Sequence, residues 1–171
     1  MTHKEQLQNA IVKELKICQR LFTMLPANSY DYKPQEGMRT TLELLQSITM
    51  WGAWTIDAAL TQDNEESDKL YDKYRDYSLT MKPGEFHKRM TEQISKIESL
   101  MSNISDEDLL IKNATVVGTK EIPLGKAIIE TALKWVTGYK MQLFLYAKMS
   151  GAKQLHTGDL WVTQWEEKNK E

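Results

Sequence analysis

The sequence predicts an all-α fold, a four-helix bundle with long crossover connections, on three observations. Four long segments repeat apolar residues at steps of three and four, as a helix buried along one face requires. Almost nothing alternates with the period of two that a half-buried strand would show. Two of the four segments also open with a threonine followed three places later by a glutamate, which matches a capping box.

The first helix is expected over residues 2–25, with Leu7, Ile11, Cys18 and Phe22 on its stripe, Thr2 and Glu5 as its box and Pro26 as its stop. Residues 27–39 are rich in Pro, Gly, Asn and Tyr and read as an ordered loop. Thr40 and Glu43 then open a second helix over 41–61. Leu44, Leu45, Ile48, Trp51, Trp54 and Ile56 make it apolar around much of its circumference, so burial on more than one side follows.

Residues 62–83 are polar, with Tyr71, Tyr74 and Tyr77 and an acidic run at 63–66 that reads as a solvated loop; one short helix near 68–74 is expected. The third long helix, over 83–104, has the cleanest stripe: Phe86, Met90, Ile94, Ile97, Met101 and Ile104. Ser105 and Asp108 then suggest a cap and a short turn. Between 110 and 122, Val116, Val117 and Gly118 suit a small hairpin or an extended loop. The fourth helix, over 124–150, carries Ile128, Ala132, Trp135, Tyr139, Leu143 and Tyr146, with Gly151 placed as a C-terminal cap. The tail, with Trp161 and Trp165, is expected to pack back onto the bundle.

At 171 residues the chain fits one domain, 1–171, with room for a substantial core. A formal charge of −2 without a basic stripe argues against nucleic acid as a partner. No apolar run approaches the roughly 20 residues of a membrane span, the start of the chain lacks an apolar signal core, and Cys18 is the sole cysteine. A cytoplasmic setting is expected, with no membrane association.

Several local features then coincide in order. Tyr30-Asp31-Tyr32-Lys33-Pro34 and Gly37-Met38-Arg39-Thr40 run into Leu42-Glu43-Leu44-Leu45; Ser105-Asp106-Glu107-Asp108-Leu109 follows the third helix; Tyr139-Lys140-Met141-Gln142-Leu143 leads to Tyr146-Ala147-Lys148-Met149-Ser150-Gly151. Together they resemble the DinB-like (YfiT-like) metalloenzyme superfamily over nearly the whole chain. The resemblance implies a homodimeric four-helix bundle. It also implies a metal held by one histidine of the second helix and two, one turn apart, of the fourth, where it activates a thiol or water.

Laid onto this chain, those three ligand positions fall at Ser47, Trp135 and Tyr139, none of them a histidine. An indole cannot serve as an ordinary ligand and a neutral serine hydroxyl is a poor one, so no metal and no cofactor are expected. His3, His87 and His156 read as a terminal, a surface and a turn residue, and no pair has ligand spacing. Cys18 reads as a small core hydrophobe, Glu43 as half of a capping box, and Asp57 as a helix-end surface acid.

If the helices pack as the resemblance implies, Ser47 and Tyr139 face a pocket bordered by Trp51, Trp54 and Trp135, aromatic with a few polar handles. The bulk of Trp135 and Tyr139 filling the old site is the stronger reading, and a residual pocket for a small organic molecule is the other. Three functions stay open: a metal-free small-molecule-binding protein, a thiol-dependent transferase or hydrolase with divergent ligands, and a homodimeric structural or stress-related protein with its pocket filled. Apolar edges on the first or third helix would suit a two-fold contact.

Overall fold

The computed structural model describes residues 1–61, 64–115 and 121–164. Its framework is all-α, with one two-residue hairpin. Helix α1 (His3–Phe22) starts from the expected box: Thr2 Oγ1 accepts from the Glu5 amide at 3.2 Å, and Glu5 Oε2 accepts from the Thr2 amide at 2.8 Å. It ends three residues earlier than Pro26 alone would dictate, in single tight turns through Leu25.

The loop that follows is ordered by its own backbone. Tyr30 and Tyr32 offer their carbonyls to the amides of Leu42 and Thr41, both at 2.9 Å, which satisfies two orphan donors of the next helix. That helix is α2 (Thr41–Leu60), whose Thr40–Glu43 box forms as expected. Twelve of its residues are buried, because other helices pack on more than one of its sides.

The polar stretch after α2 holds a longer helix than the sequence suggests. α3 (Asn64–Leu79) lies along α2. Leu70, Tyr71, Tyr74 and Ser78 form an inward edge, while charged residues occupy most of the rest of the circumference, with Tyr77 and Leu79 exposed at its end. Gln46 holds its end, donating to the carbonyls of Leu79 and Met81 at 3.1 Å each.

A short 3-10 turn (Pro83–Glu85) leads into α4 (Phe86–Ser102), whose expected stripe is buried throughout. α5 (Asp106–Ile111) follows, opened by the Ser105–Asp108 box. Then β1 (Asn113–Ala114) pairs antiparallel with β2 (Ile122–Pro123). The expected strand residues Val116, Val117 and Gly118 lie outside the described residues.

The fourth long helix is continuous in course but not in pitch. α6 (Leu124–Ile128) passes through a π-helical turn (Ile129–Leu133) into α7 (Lys134–Met149). It ends in a Schellman arrangement: Gly151 sits at φ +111°, and the Ala152 amide donates to the Ala147 carbonyl at 2.9 Å. The wide turn adds a residue to the helical count and rotates everything after it. The buried face therefore runs Ile128, Ala132, Val136, Lys140, Leu143, Ala147. Trp135 and Tyr139, expected on that face, are only half-buried.

α1 packs on α4 and α7, and α2 packs on α3, α4 and α7, so α1, α4, α2 and α7 enclose a common core. At its centre, Gln93 of α4 meets the backbone of α2: Oε1 accepts from Gly52 at 2.9 Å and Ala53 at 3.2 Å, and Nε2 donates to the Ile48 carbonyl at 2.9 Å. A Cβ on Gly52 would stand 3.0 Å from that Oε1, so only glycine admits the contact undisturbed. No helix among the described residues is long and apolar enough to cross a membrane.

Candidate functional site

Four of the five aromatic-pocket candidates come together. The Trp51 ring lies 5.0 Å from Trp54 and 5.0 Å from Trp135, both edge-on, and 6.1 Å from Tyr139, nearly parallel. Tyr71 of α3 completes the group, 5.2 Å from Trp54. Edge-on and offset contacts at these separations are the favourable geometry for packed rings. Ser47, one turn before Trp51, donates its hydroxyl to the Glu43 carbonyl at 2.9 Å; that hydroxyl proton is committed within its own helix.

The outer side of this cluster is a wide, shallow depression of about 480 Å³. Trp51, Trp135 and Tyr139 form its wall, with Arg39, Lys134 and Gln142 at the rim. Arg39 donates to the Tyr139 hydroxyl at 3.3 Å, and Lys134 is paired with Glu130. The indole N–H groups of Trp51 and Trp54 find no acceptor among the described residues. Trp54 instead borders a separate void of about 30 Å³, beside Thr55, Ser67 and Thr131.

The better-formed cavity lies elsewhere. α3 lies along α2 and reaches α4 through Tyr77, and the space between them is a cleft of about 430 Å³. Met50, Ala53 and Gln93 form its floor, Leu70, Tyr74 and Tyr77 one wall, and Arg89, Glu92 and Lys96 the other. Asp57 is here too. The surface position expected for it is incorrect: its side chain is 17% exposed, accepts the Tyr74 phenol at 2.8 Å and pairs with Lys96 at 3.1 Å. The physical reason is α3, which covers the end of α2 that a bare loop would have left open. Burial, and then the bond to Asp57, push the Tyr74 phenol well above its usual value.

Opposite Asp57, the Tyr77 hydroxyl donates to Glu92 at 2.7 Å, which raises that phenol too. Arg89 is 9% exposed. Its guanidinium lies 3.6 Å over the Tyr77 ring and donates to the Tyr77 carbonyl at 3.2 Å and to Thr80 Oγ1 at 3.0 Å.

A second polar constellation escaped the sequence reading. Lys140 of α7 is 1% exposed, and its ammonium stands 2.6 Å from Glu14 of α1. Trp161 covers it, ring centre 4.7 Å from Nζ. Cys18, one turn along α1 from Glu14, is fully buried; burial, and then the Glu14 charge, push its thiol far up, so it is an inert core group. Beside it Arg20 pairs with Asp159, which pins the C-terminal turn (Thr157–Leu160). Glu14 falls between Ile11 and Cys18 at helical spacing, and Lys140 between Val136 and Leu143. A charged residue at a stripe position was the signal available in each case.

All three histidines are exposed, in three separate segments. Among the described residues, no three His, Cys, Asp or Glu side chains stand close enough together to hold a metal ion. No family model matches the chain, and no curated protein matches it.

Proposed function

We propose that this chain is a DinB-like four-helix bundle that has exchanged metal chemistry for the binding of a small organic molecule. The mutual packing of α1, α4, α2 and α7 supports the bundle. The donor set does not fit a metal: Ser47 bonds its own helix, Trp135 offers an indole, and the Tyr139 hydroxyl already accepts from Arg39. Binding moves to the cleft between α2, α3 and α4.

The observation that carries this reading is the cleft itself. Its volume of about 430 Å³ lies within the roughly 300–1,000 Å³ of small-molecule sites. An apolar floor faces converging phenols and charged groups, which is the lining such sites have. A second reading places the ligand on the aromatic depression, favoured by the Arg39 guanidinium held 5.6 Å from the centre of the Tyr139 ring.

A fragment library followed by methyl NMR separates the two. Fragments that shift the Met50 and Ala53 methyls support the cleft. Fragments that perturb only the Trp51 and Trp135 indoles move the site to the depression, and an empty screen at millimolar concentration removes ligand binding altogether. Metal analysis of protein purified without a chelating tag should return no stoichiometric transition metal; one equivalent bound beside Tyr139 would overturn the metal-free reading. The same proposal carries a homodimer. Exposed large apolar side chains are not on α4, and on α1's side only Met1 qualifies, so the expected edges are not there. Met141, Leu145 and Met149 line one side of α7 instead, 39–59% exposed.

A further inference from the structure

We propose that the α2–α3–α4 cleft is selective for a small organic monocarboxylate, its head group on Arg89 and Lys73 and its apolar body on Met50, Ala53 and Leu70. This rests on the cleft being the ligand site, and it assigns the ligand's charge and shape.

Three cations and two carboxylates line the cleft; both carboxylates are answered, but of the cations only Lys96 is. Asp57 holds Lys96 and the Tyr74 phenol. Glu92 holds the Tyr77 phenol, with Lys88 at 3.9 Å. Arg89 and Lys73 have no carboxylate within ion-pair distance among the described residues. For Lys73, exposed at the mouth, that is ordinary. For Arg89, at 9% exposure, it is not, because buried guanidinium groups are almost always matched by an anion.

Arg89 also has a structural task, since its bonds to Tyr77 and Thr80 tie down the end of α3. Those acceptors are neutral, and they occupy only part of the guanidinium's fork of donors. The remaining donors sit on a group held rigid by the Tyr77 ring, which is how a preorganised carboxylate clamp is built. Asp57 and Glu92 limit the ligand's charge: a phosphate dianion in the same cleft would face two fixed carboxylates, whereas a monoanion engages Arg89 with less opposition.

The test uses three probes with one body and different heads: 4-phenylbutyrate, 4-phenylbutan-1-ol and 4-phenylbutylamine, titrated into the full chain at pH 7 and read by calorimetry and the Met50 methyl resonance. The carboxylate is expected to bind at least tenfold tighter than the alcohol, with the amine weakest. Arg89→Gln should abolish that preference, bringing carboxylate and alcohol to similar affinities, and Arg89→Lys should keep part of it. Should Arg89→Gln not fold, Lys73→Gln at the exposed mouth gives the same comparison, with an expected threefold loss for the carboxylate alone. Equal binding of alcohol and carboxylate overturns the charge assignment and leaves the cleft as a site. No response from Met50 to any of the three probes overturns the cleft as well.

Discussion

Removing the Lys140 ammonium tests whether the buried ion pair is understood. In Lys140→Met the aliphatic stem stays and only the charge goes. At 2.6 Å, two unit charges attract by about 6 kcal/mol at an effective dielectric constant near 20, and desolvation of both groups offsets much of that. What the variant leaves behind matters more: Glu14, 15% exposed, loses its counter-ion in the core. Breaking one side of such a pair costs about 3–5 kcal/mol, with roughly another 0.5–1 kcal/mol for the lost contact with Trp161. At about 2–4 °C per kcal/mol for a chain of this size, the midpoint should fall on the order of 10 °C. Glu14→Leu should cost more, because the Lys140 it strands is the more deeply buried partner. The double variant should return to within about 1 kcal/mol of the parent. Urea unfolding followed by far-UV circular dichroism measures all four proteins. Single variants within about 0.5 kcal/mol of the parent, or a double variant as unstable as the two losses summed, would refute the reasoning.

Gly52→Ala gains about 1 kcal/mol of helix propensity, yet its Cβ would press on Gln93, Ile97 and Val136 at 3.0–3.3 Å. A net loss of about 1–2 kcal/mol is expected in urea unfolding. The Asp106 carboxylate accepts from the Lys4 amide at 2.7 Å and is held below the usual range by that bond. Its contribution is present above the ordinary carboxylate value near 4 and is lost as pH falls through the lower folded value. The melting difference between the parent and Asp106→Asn should therefore be clear at pH 7 and shrink steadily below about pH 4. Asp57→Asn should bring the Tyr74 phenol down toward its ordinary value near 10, read from the Tyr74 ¹³Cζ shift; an unchanged titration would mean that burial alone holds it up.

The framework was legible because its signals are local. Apolar spacing marked α1, α2 and α4, the boxes at Thr2 and Thr40 form, and the cap expected at Ser105 opens a short helix rather than a turn. α3 was under-read because it buries only a narrow edge of leucine and tyrosine, leaving little periodic contrast along a mostly charged segment. The meeting of Trp51, Trp54, Trp135 and Tyr139 was expected only from the helix packing that the family resemblance implies, not from the spacing within either helix. The cleft did not, because half its wall belongs to α3 and its charged groups gain meaning only from burial. Glu14 and Lys140 were each visible as a charge amid apolar neighbours, but pairing them needs the approach of α1 to α7, which no single segment encodes.

The π turn at Ile129–Leu133 behaves like a one-residue insertion hidden inside an unbroken helix. Residues before it keep the reading frame of a regular helix, and residues after it are one place out of step. The inward positions from residue 134 onward therefore come one place later than the spacing of the first half predicts. Excising a single residue from the turn should let the helix close up with regular pitch, leaving Lys140 on the inward face and Tyr139 where it stands.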